Sequence, residues 1–393
     1  MKKTRIISLF MTLVMLLGCF AGIGAMADDD TIKIGMVGCL TGDYAIYGLA
    51  VRNGTELYVD WLNENGGING KQVELIIYDN RADNAEAITA FLSMYDEGIV
   101  GLVGDVLTGN TQAVVSEAWP LNFPMITPSA TAESVTYDAE TDTVYTNVFR
   151  TCFIDPFQGE KMAQYAFEVL GAKTAAVLYD TANDYSIGLT EAFQAKCEEL
   201  GIEVVDVEGY ATGDKDFKSQ LTNIASYNPD VVFAPIYYQD AGLIITQARQ
   251  LDITSTFLGG DGWSGVTGYA SAADLEGTVY CSAYASGTSD AVIAFEDAYI
   301  AAYGTDTLNM FAANAYDAAM VLCNAIAIAD AADLEEGSEE YSQAVIDAIR
   351  DMSGDLEGIT SPAGYAFDEF NNPIKDAVII EVIEGVETFD RLF

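Results

Sequence analysis

The stretch IKIGMV, Ile32 to Val37, is a near-continuous apolar run, and the helical pattern after it, from about Ala45 to Asn65, ends in Asn-Gly-Gly. Side chains of a strand alternate between the two faces of a sheet, so a short run that is apolar at successive positions marks a strand buried on both faces. The glycines past Asn65 suit the left-handed backbone that closes a helix. The same unit then repeats. VELIIYD (Val73 to Asp79) precedes a helix from about Asn84 to Asp96, and IVGLVG (Ile99 to Gly104) precedes one around Thr111 to Ala118. FPMIT then leads into TPSAT, Thr127 to Thr131. Doubly buried strands alternating with helices predict a parallel sheet covered on both faces.

A second series starts after NVFRT (Asn147 to Thr151). Its strands are TAAVLYD (Thr174 to Asp180), IEVVDV (Ile202 to Val207), DVVFAPIYY (Asp230 to Tyr238) and STFLGGD (Ser255 to Asp261), with helices such as Tyr185 to Leu200 and Asp240 to Leu251 between them. After GTVYCSAY (Gly277 to Tyr284) the pattern turns helical over Ala291 to Tyr303, Ala312 to Ala329 and Tyr341 to Met352. GYAFDEF and DAVIIEV return to strand and are expected to pair as an antiparallel hairpin across Asn-Asn-Pro. At 393 residues the chain exceeds what one core usually supports. The late helices need the first sheet to cover, so the chain must cross between lobes near Arg150, Tyr284 and Thr360. The expected fold is α/β: two doubly wound parallel-sheet lobes joined by a three-segment hinge. Residues 28–149 plus 284–360 are assigned to lobe 1, and 150–283 plus 361–393 to lobe 2.

Composition removes whole classes of function. With 17 basic and 60 acidic residues the net charge is −43, which repels nucleic-acid phosphates and anionic membranes. Histidine is absent, and with it go the commonest general base, the histidine-containing triads and most catalytic zinc sites. An enzyme is not expected. Residues 1–27, with a basic start, an apolar run and a small-residue end, have the form of a secretory signal. Two processing sites compete there: Leu16-Leu17-Gly18-Cys19, which would lipidate Cys19, and Ala25-Met26-Ala27 before Asp28. The short apolar spacer after Cys19 favours cleavage after Ala27. The mature chain then works outside the cytoplasm with Cys39, Cys152, Cys197, Cys281 and Cys323, widely spaced and read as buried free thiols.

Ligands of parallel α/β sheets sit beyond the carboxyl ends of the strands. GDVLTGNT (Gly104 to Thr111) nearly matches a phosphate loop, but Asn110 stands where that loop needs its lysine. No G-x-G-x-x-G opens a helix and no calcium loop is present, so neither cofactor nor metal is expected. What remains is complementary. Lobe 1 offers donors at Thr108, Ser129 and Thr131; lobe 2 offers the carboxylate of Asp261 and the rings of Tyr185, Tyr237 and Trp263. Donors facing an acceptor suit a zwitterion, its carboxylate on the donors and its ammonium on Asp261.

Read together, IKIGMVGCLTGDYAIYG, NENGGINGKQVELIIYD, GLVGDVLTGNTQ, FPMITPSATAES, YDTANDYSIGL, NPDVVFAPIYYQDAG and FLGGDGW resemble the type I extracytoplasmic solute-binding proteins of the branched-chain amino acid ABC transport class. The likeness runs from about Ile32 to the C-terminus. It implies that Thr108, Ser129, Thr131, Tyr185 and Asp261 bind the ligand's carboxylate and ammonium, that Tyr237 lines the pocket, and that Tyr47 packs on the ligand where leucine-binding members carry tryptophan. The family's disulfide is missing, its places taken by Arg81 and Leu107. The resemblance implies a monomeric receptor that closes on a free amino acid and delivers it to a membrane permease. The alternative is a sensor module of the same fold; with no membrane segment after Phe393, the importer component is expected.

Overall fold

The computed structural model describes residues 31–393. The expected signal, with its processing sites at Cys19 and Ala27, lies outside the described residues.

The first sheet holds β1 (Thr31–Gly38), β2 (Gln72–Asp79), β3 (Leu102–Val103) and β4 (Met125–Thr127). A small separate hairpin, β5 (Tyr137–Asp138) and β6 (Thr143–Val144), precedes its last strand, β7 (Val148–Arg150). The order β2-β1-β3-β4-β7 is parallel throughout, with Ile34 opposite Leu75. The 22-residue helix Met310–Ala331 covers this sheet from the far end of the chain, packing on β3, β4 and the helix Ala45–Glu64. It is long and apolar enough to cross a membrane, yet it is largely buried inside this lobe. Its close approach to the helix Ala45–Glu64 requires Gly54, where a Cβ would lie 2.1 Å from the Ala312 carbonyl oxygen. Leu322, on the same helix, is fully buried beneath Gly101. Truncating such a side chain to alanine typically costs about 2–5 kcal/mol.

The second sheet contains β8 (Thr174–Asp180), β9 (Glu203–Tyr210), β10 (Val231–Phe233), β11 (Thr256–Gly259), β12 (Val279–Ser282), β13 (Val378–Ile383) and β14 (Val386–Leu392). Its order is β14-β13-β12-β11-β10-β8-β9, parallel except for the two antiparallel strands at the C-terminal edge. β10 is shorter than expected. Pro235 lacks the N–H a central strand needs, and Tyr238 already begins a helix.

The C-terminal hairpin differs from expectation. It turns at Glu384 and Gly385, both with positive φ (53° and 78°), the two-residue geometry that matches strand twist. GYAFDEF forms only isolated bridges, at Ala366 and Phe367. It lies on the first lobe instead: Phe367 packs against Phe149, Phe370 against Tyr137, and Asn371 Nδ2 donates to the Val148 carbonyl at 3.0 Å. The third crossing therefore falls near Lys375, later than the expected Thr360.

Lys375 is enclosed where the crossings meet. Its Nζ donates to the Thr151 carbonyl and to Thr360 Oγ1, both at 2.7 Å. Thr360 Oγ1 in turn donates to Asp317 Oδ2 at 2.8 Å, and Asp317 also accepts the Ile359 and Thr360 N–H groups. Burial lowers the lysine's pKa to about 8, with the attraction of Asp317 opposing the shift. The thiols of Cys39, Cys152, Cys197, Cys281 and Cys323 are all buried and unpaired.

Candidate functional site

The loops at the carboxyl ends of β3 and β4 face those of β8, β10 and β11 across a cleft between the lobes. On the first lobe, the helix Thr108–Ala118 starts at Leu107 with no side chain capping it. Its first-turn N–H groups are thus left for an anion, and the helix dipole favours one there. TPSAT folds back on itself: Thr127 Oγ1 donates to the Asp105 carbonyl at 2.7 Å and accepts the Ala130 N–H at 3.0 Å. Arg150, fully buried, donates to the carbonyls of Ala130 and Ala132 at 3.0 Å each and so fixes the segment carrying Thr131. Ser129 Oγ donates to the Val106 carbonyl at 2.7 Å.

On the second lobe, Asp261 follows β11 and is 2 % exposed. Its N–H donates to Gln158 Oε1 at 2.8 Å, and the Tyr185 hydroxyl accepts the Gly262 N–H at 2.9 Å. Tyr185 and Tyr237 stack at 5.1 Å. Burial raises the Asp261 carboxyl to about 7, opposed by the Tyr185 hydroxyl, which favours its ionised form.

Tyr47 joins the two sides. Its hydroxyl donates to the Gly262 carbonyl and accepts the Tyr238 N–H at 3.2 Å, while its ring lies 4.5 Å from that of Phe311. Nearby, the Asp43 carbonyl accepts from the Tyr238 hydroxyl at 2.6 Å and from Gln239 Nε2. The cavity within encloses only about 10 Å³, room for roughly one water. Tyr47, Thr108, Ser129, Tyr185, Tyr237 and Asp261 all line it.

Two expected residues do not. Trp263 lies beneath the floor, its Nε1 donating to the Ala234 carbonyl at 2.9 Å. The indole occupies the space a side chain on Gly259 would need, at 2.2 Å from the would-be Cβ. Thr131 sits outside the cavity wall, its hydroxyl buried beside Asp155.

Three residues were missed. Phe311, at the start of the long core helix, lines the cavity. Asp155 and Gln158 open the helix Asp155–Glu168 just past the first crossing. Buried polar atoms without a hydrogen-bond partner gather here: both oxygens of Asp155, Asp261 Oδ2, Gln158 Nε2 and Thr131 Oγ1. Desolvation pushes Asp155 well above the usual carboxylate range, and the charge of Asp261 adds to the shift. The free oxygen of Asp261, on the cavity wall, suits positive charge, opposite a helix end that suits negative charge. Among the described residues, no group of His, Cys, Asp and Glu is placed to hold a metal ion.

Residues 31–386 match the family model described as periplasmic binding protein. A leucine-, isoleucine-, valine-, threonine- and alanine-binding protein of Pseudomonas aeruginosa is 32% identical over 312 residues, 79% of this chain and 82% of the relative. A crystal structure of the leucine-binding protein LivK of Thermotoga maritima aligns with TM-score 0.82 at 31% identity, covering 92% of this chain and 98% of that one. The branched-chain amino acid transporter substrate-binding protein LivJ of Streptococcus pneumoniae, in complex with isoleucine, aligns with TM-score 0.80 at 32% identity and the same coverage.

Proposed function

Because the chain belongs to the periplasmic binding protein family, whose members bind substrates outside the cytoplasm rather than convert them, we propose that it is the substrate-binding component of an ABC importer for a free α-amino acid of the branched-chain or other apolar class. One observation carries the reading: an unpartnered carboxylate oxygen of Asp261 on one side of the cleft, and an uncapped helix end with the Thr108 hydroxyl on the other. That polarity matches a zwitterion. The ligand's carboxylate takes the first-turn N–H groups and the hydroxyl of Thr108, beside Ser129, whose own hydroxyl is held by the Val106 carbonyl, with Thr131 behind them. Its ammonium takes Asp261, whose backbone is oriented by Gln158.

The side chain of the ligand meets Tyr47, Tyr237, Leu107 and Phe311, which favours apolar groups. Closure comes from rotation about the three crossings, since contacts divided between lobes stabilise the closed arrangement over the open one. The chain works as a monomer with a membrane permease as its partner, after cleavage behind Ala27. A thermal-shift screen over the standard amino acids tests the binding. A ligand at a hundred times its dissociation constant adds about 2.7 kcal/mol of stability. Failure of every free amino acid to raise the melting temperature would remove the proposal.

A further inference from the structure

A second cavity, of about 240 Å³, lies on the side of the Asp261–Ser264 loop away from the cleft. Its walls come from both lobes. Ser264, Tyr280 and the C-terminal hairpin residues Ile380, Glu387 and Phe389 supply one side; Leu308 and Met310 supply the other. It shares no lining residue with the cleft, although Met310 and Phe311, neighbours in the chain, line one cavity each. The volume is just under the ~300 Å³ at which small-molecule pockets usually begin, so only a small ligand fits.

The chemistry of the walls is specific. Glu387 accepts the Gly265 N–H at 3.2 Å and is bonded to the Tyr280 hydroxyl, yet among the described residues no Lys or Arg pairs with it. Its burial penalises the charged form and raises its pKa. A carboxylate in such a place is stabilised by a cation brought to it. Tyr280, Tyr284 and Phe389 present rings that attract positive charge, and Leu308, Met310 and Ile380 offer apolar surface. Glu296, bonded to the Tyr284 hydroxyl, adds a second negative charge behind that ring.

We propose that this cavity binds a small organic monocation: a primary ammonium on an apolar or aromatic body, with the ammonium on Glu387 and the body between Phe389, Ile380 and Leu308. The site is separate from the amino-acid cleft, and the inference does not depend on what the cleft binds. Because its walls belong to both lobes, an occupant bears on their relative position from behind the loop that carries Asp261.

The test is calorimetric titration of the full chain with 2-phenylethylammonium, using the neutral 2-phenylethanol as control. One saturable site is expected, at least tenfold weaker in Glu387→Gln and weakened again in Phe389→Ala, a half-exposed position that tolerates truncation. Melting temperatures near the parent's show that both variants are folded. Binding should persist in Asp261→Ala, which alters the cleft alone. Equal affinity of Glu387→Gln for the cation, equal affinity of the parent for the alcohol, or loss of binding in Asp261→Ala each overturns the proposal.

Discussion

The Tyr47 hydroxyl, carried by the first lobe, donates to the Gly262 carbonyl of the second and accepts the Tyr238 N–H at 3.2 Å. A single phenol thereby satisfies two backbone groups of the opposite lobe, immediately beside Asp261. Tyr47→Phe leaves both groups buried without a partner, which typically costs about 1–3 kcal/mol. Without amino acid, small-angle scattering on this variant should show a larger radius of gyration than the parent. An unchanged profile would mean that the phenol does not hold the lobes together.

Asp261 is the sharpest test of ligand orientation. Removing one partner of a buried charged pair costs about 2–5 kcal/mol or more. Asp261→Ala should therefore lose at least about thirtyfold in affinity, each 1.4 kcal/mol being a factor of ten. Thr108→Val removes one neutral donor to a carboxylate that keeps its backbone partners, so a smaller loss of about 1.5–3 kcal/mol is expected. Calorimetry on both variants decides. Parent-like binding by Asp261→Ala would place the ammonium elsewhere.

Protons should compete with the ligand. Enclosure raises Asp261 from 3.8 to about 7, so the closed cleft holds this proton more tightly than a hydrated carboxyl does. Closure alone is therefore favoured as pH falls from about 7 toward 3.8, and that gain is lost as pH rises through about 7. An ammonium needs the ionised form, so affinity should be higher at pH 8 than at pH 5, with protons released on binding between those limits. Calorimetry in buffers of different ionisation enthalpy measures the release. Asp261→Asn should show a flatter profile; if its pH dependence equals the parent's, another group is responsible, with Asp155 the first to examine.

The hinge makes a stability prediction. Lys375→Met removes the buried donor to Thr151 and Thr360 and leaves Asp317 without its nearby positive charge. Stripping one partner from a buried charged network costs about 3–5 kcal/mol. The urea midpoint should drop accordingly. A drop below about 1 kcal/mol would show that the methionine stem packs as well as the lysine did.

Much of the architecture was legible because it depends on local pattern. Thr174–Asp180 and Asn84–Asp96 are bounded by their own hydrophobic period, and the structure has them at those limits. Asp261 stood out because glycines flank it after a strand. The same loop misled on Trp263, since pattern shows that a ring is near the cleft but not whether it points into it or under Gly259. Asp155 was invisible for the opposite reason. An aspartate before proline at a helix start looks like any first-turn acid, and only the tertiary fold leaves both its oxygens buried and unpaired. The C-terminal hairpin was misplaced because Asn-Asn-Pro is a stronger turn signal than Glu384-Gly385. The earlier segment was instead taken up by contacts of Phe367 and Asn371 with the first lobe.

The narrowness of the cleft also governs time. A cavity of about 10 Å³, crossed by Tyr47 and closed at its lip by contacts to Asp43, admits no amino acid until those contacts break. Capture must then wait for a spontaneous opening. In rapid mixing, the observed rate should rise with amino-acid concentration and level off at the opening rate, so that above a certain supply the receptor's own tempo, not diffusion, limits each encounter.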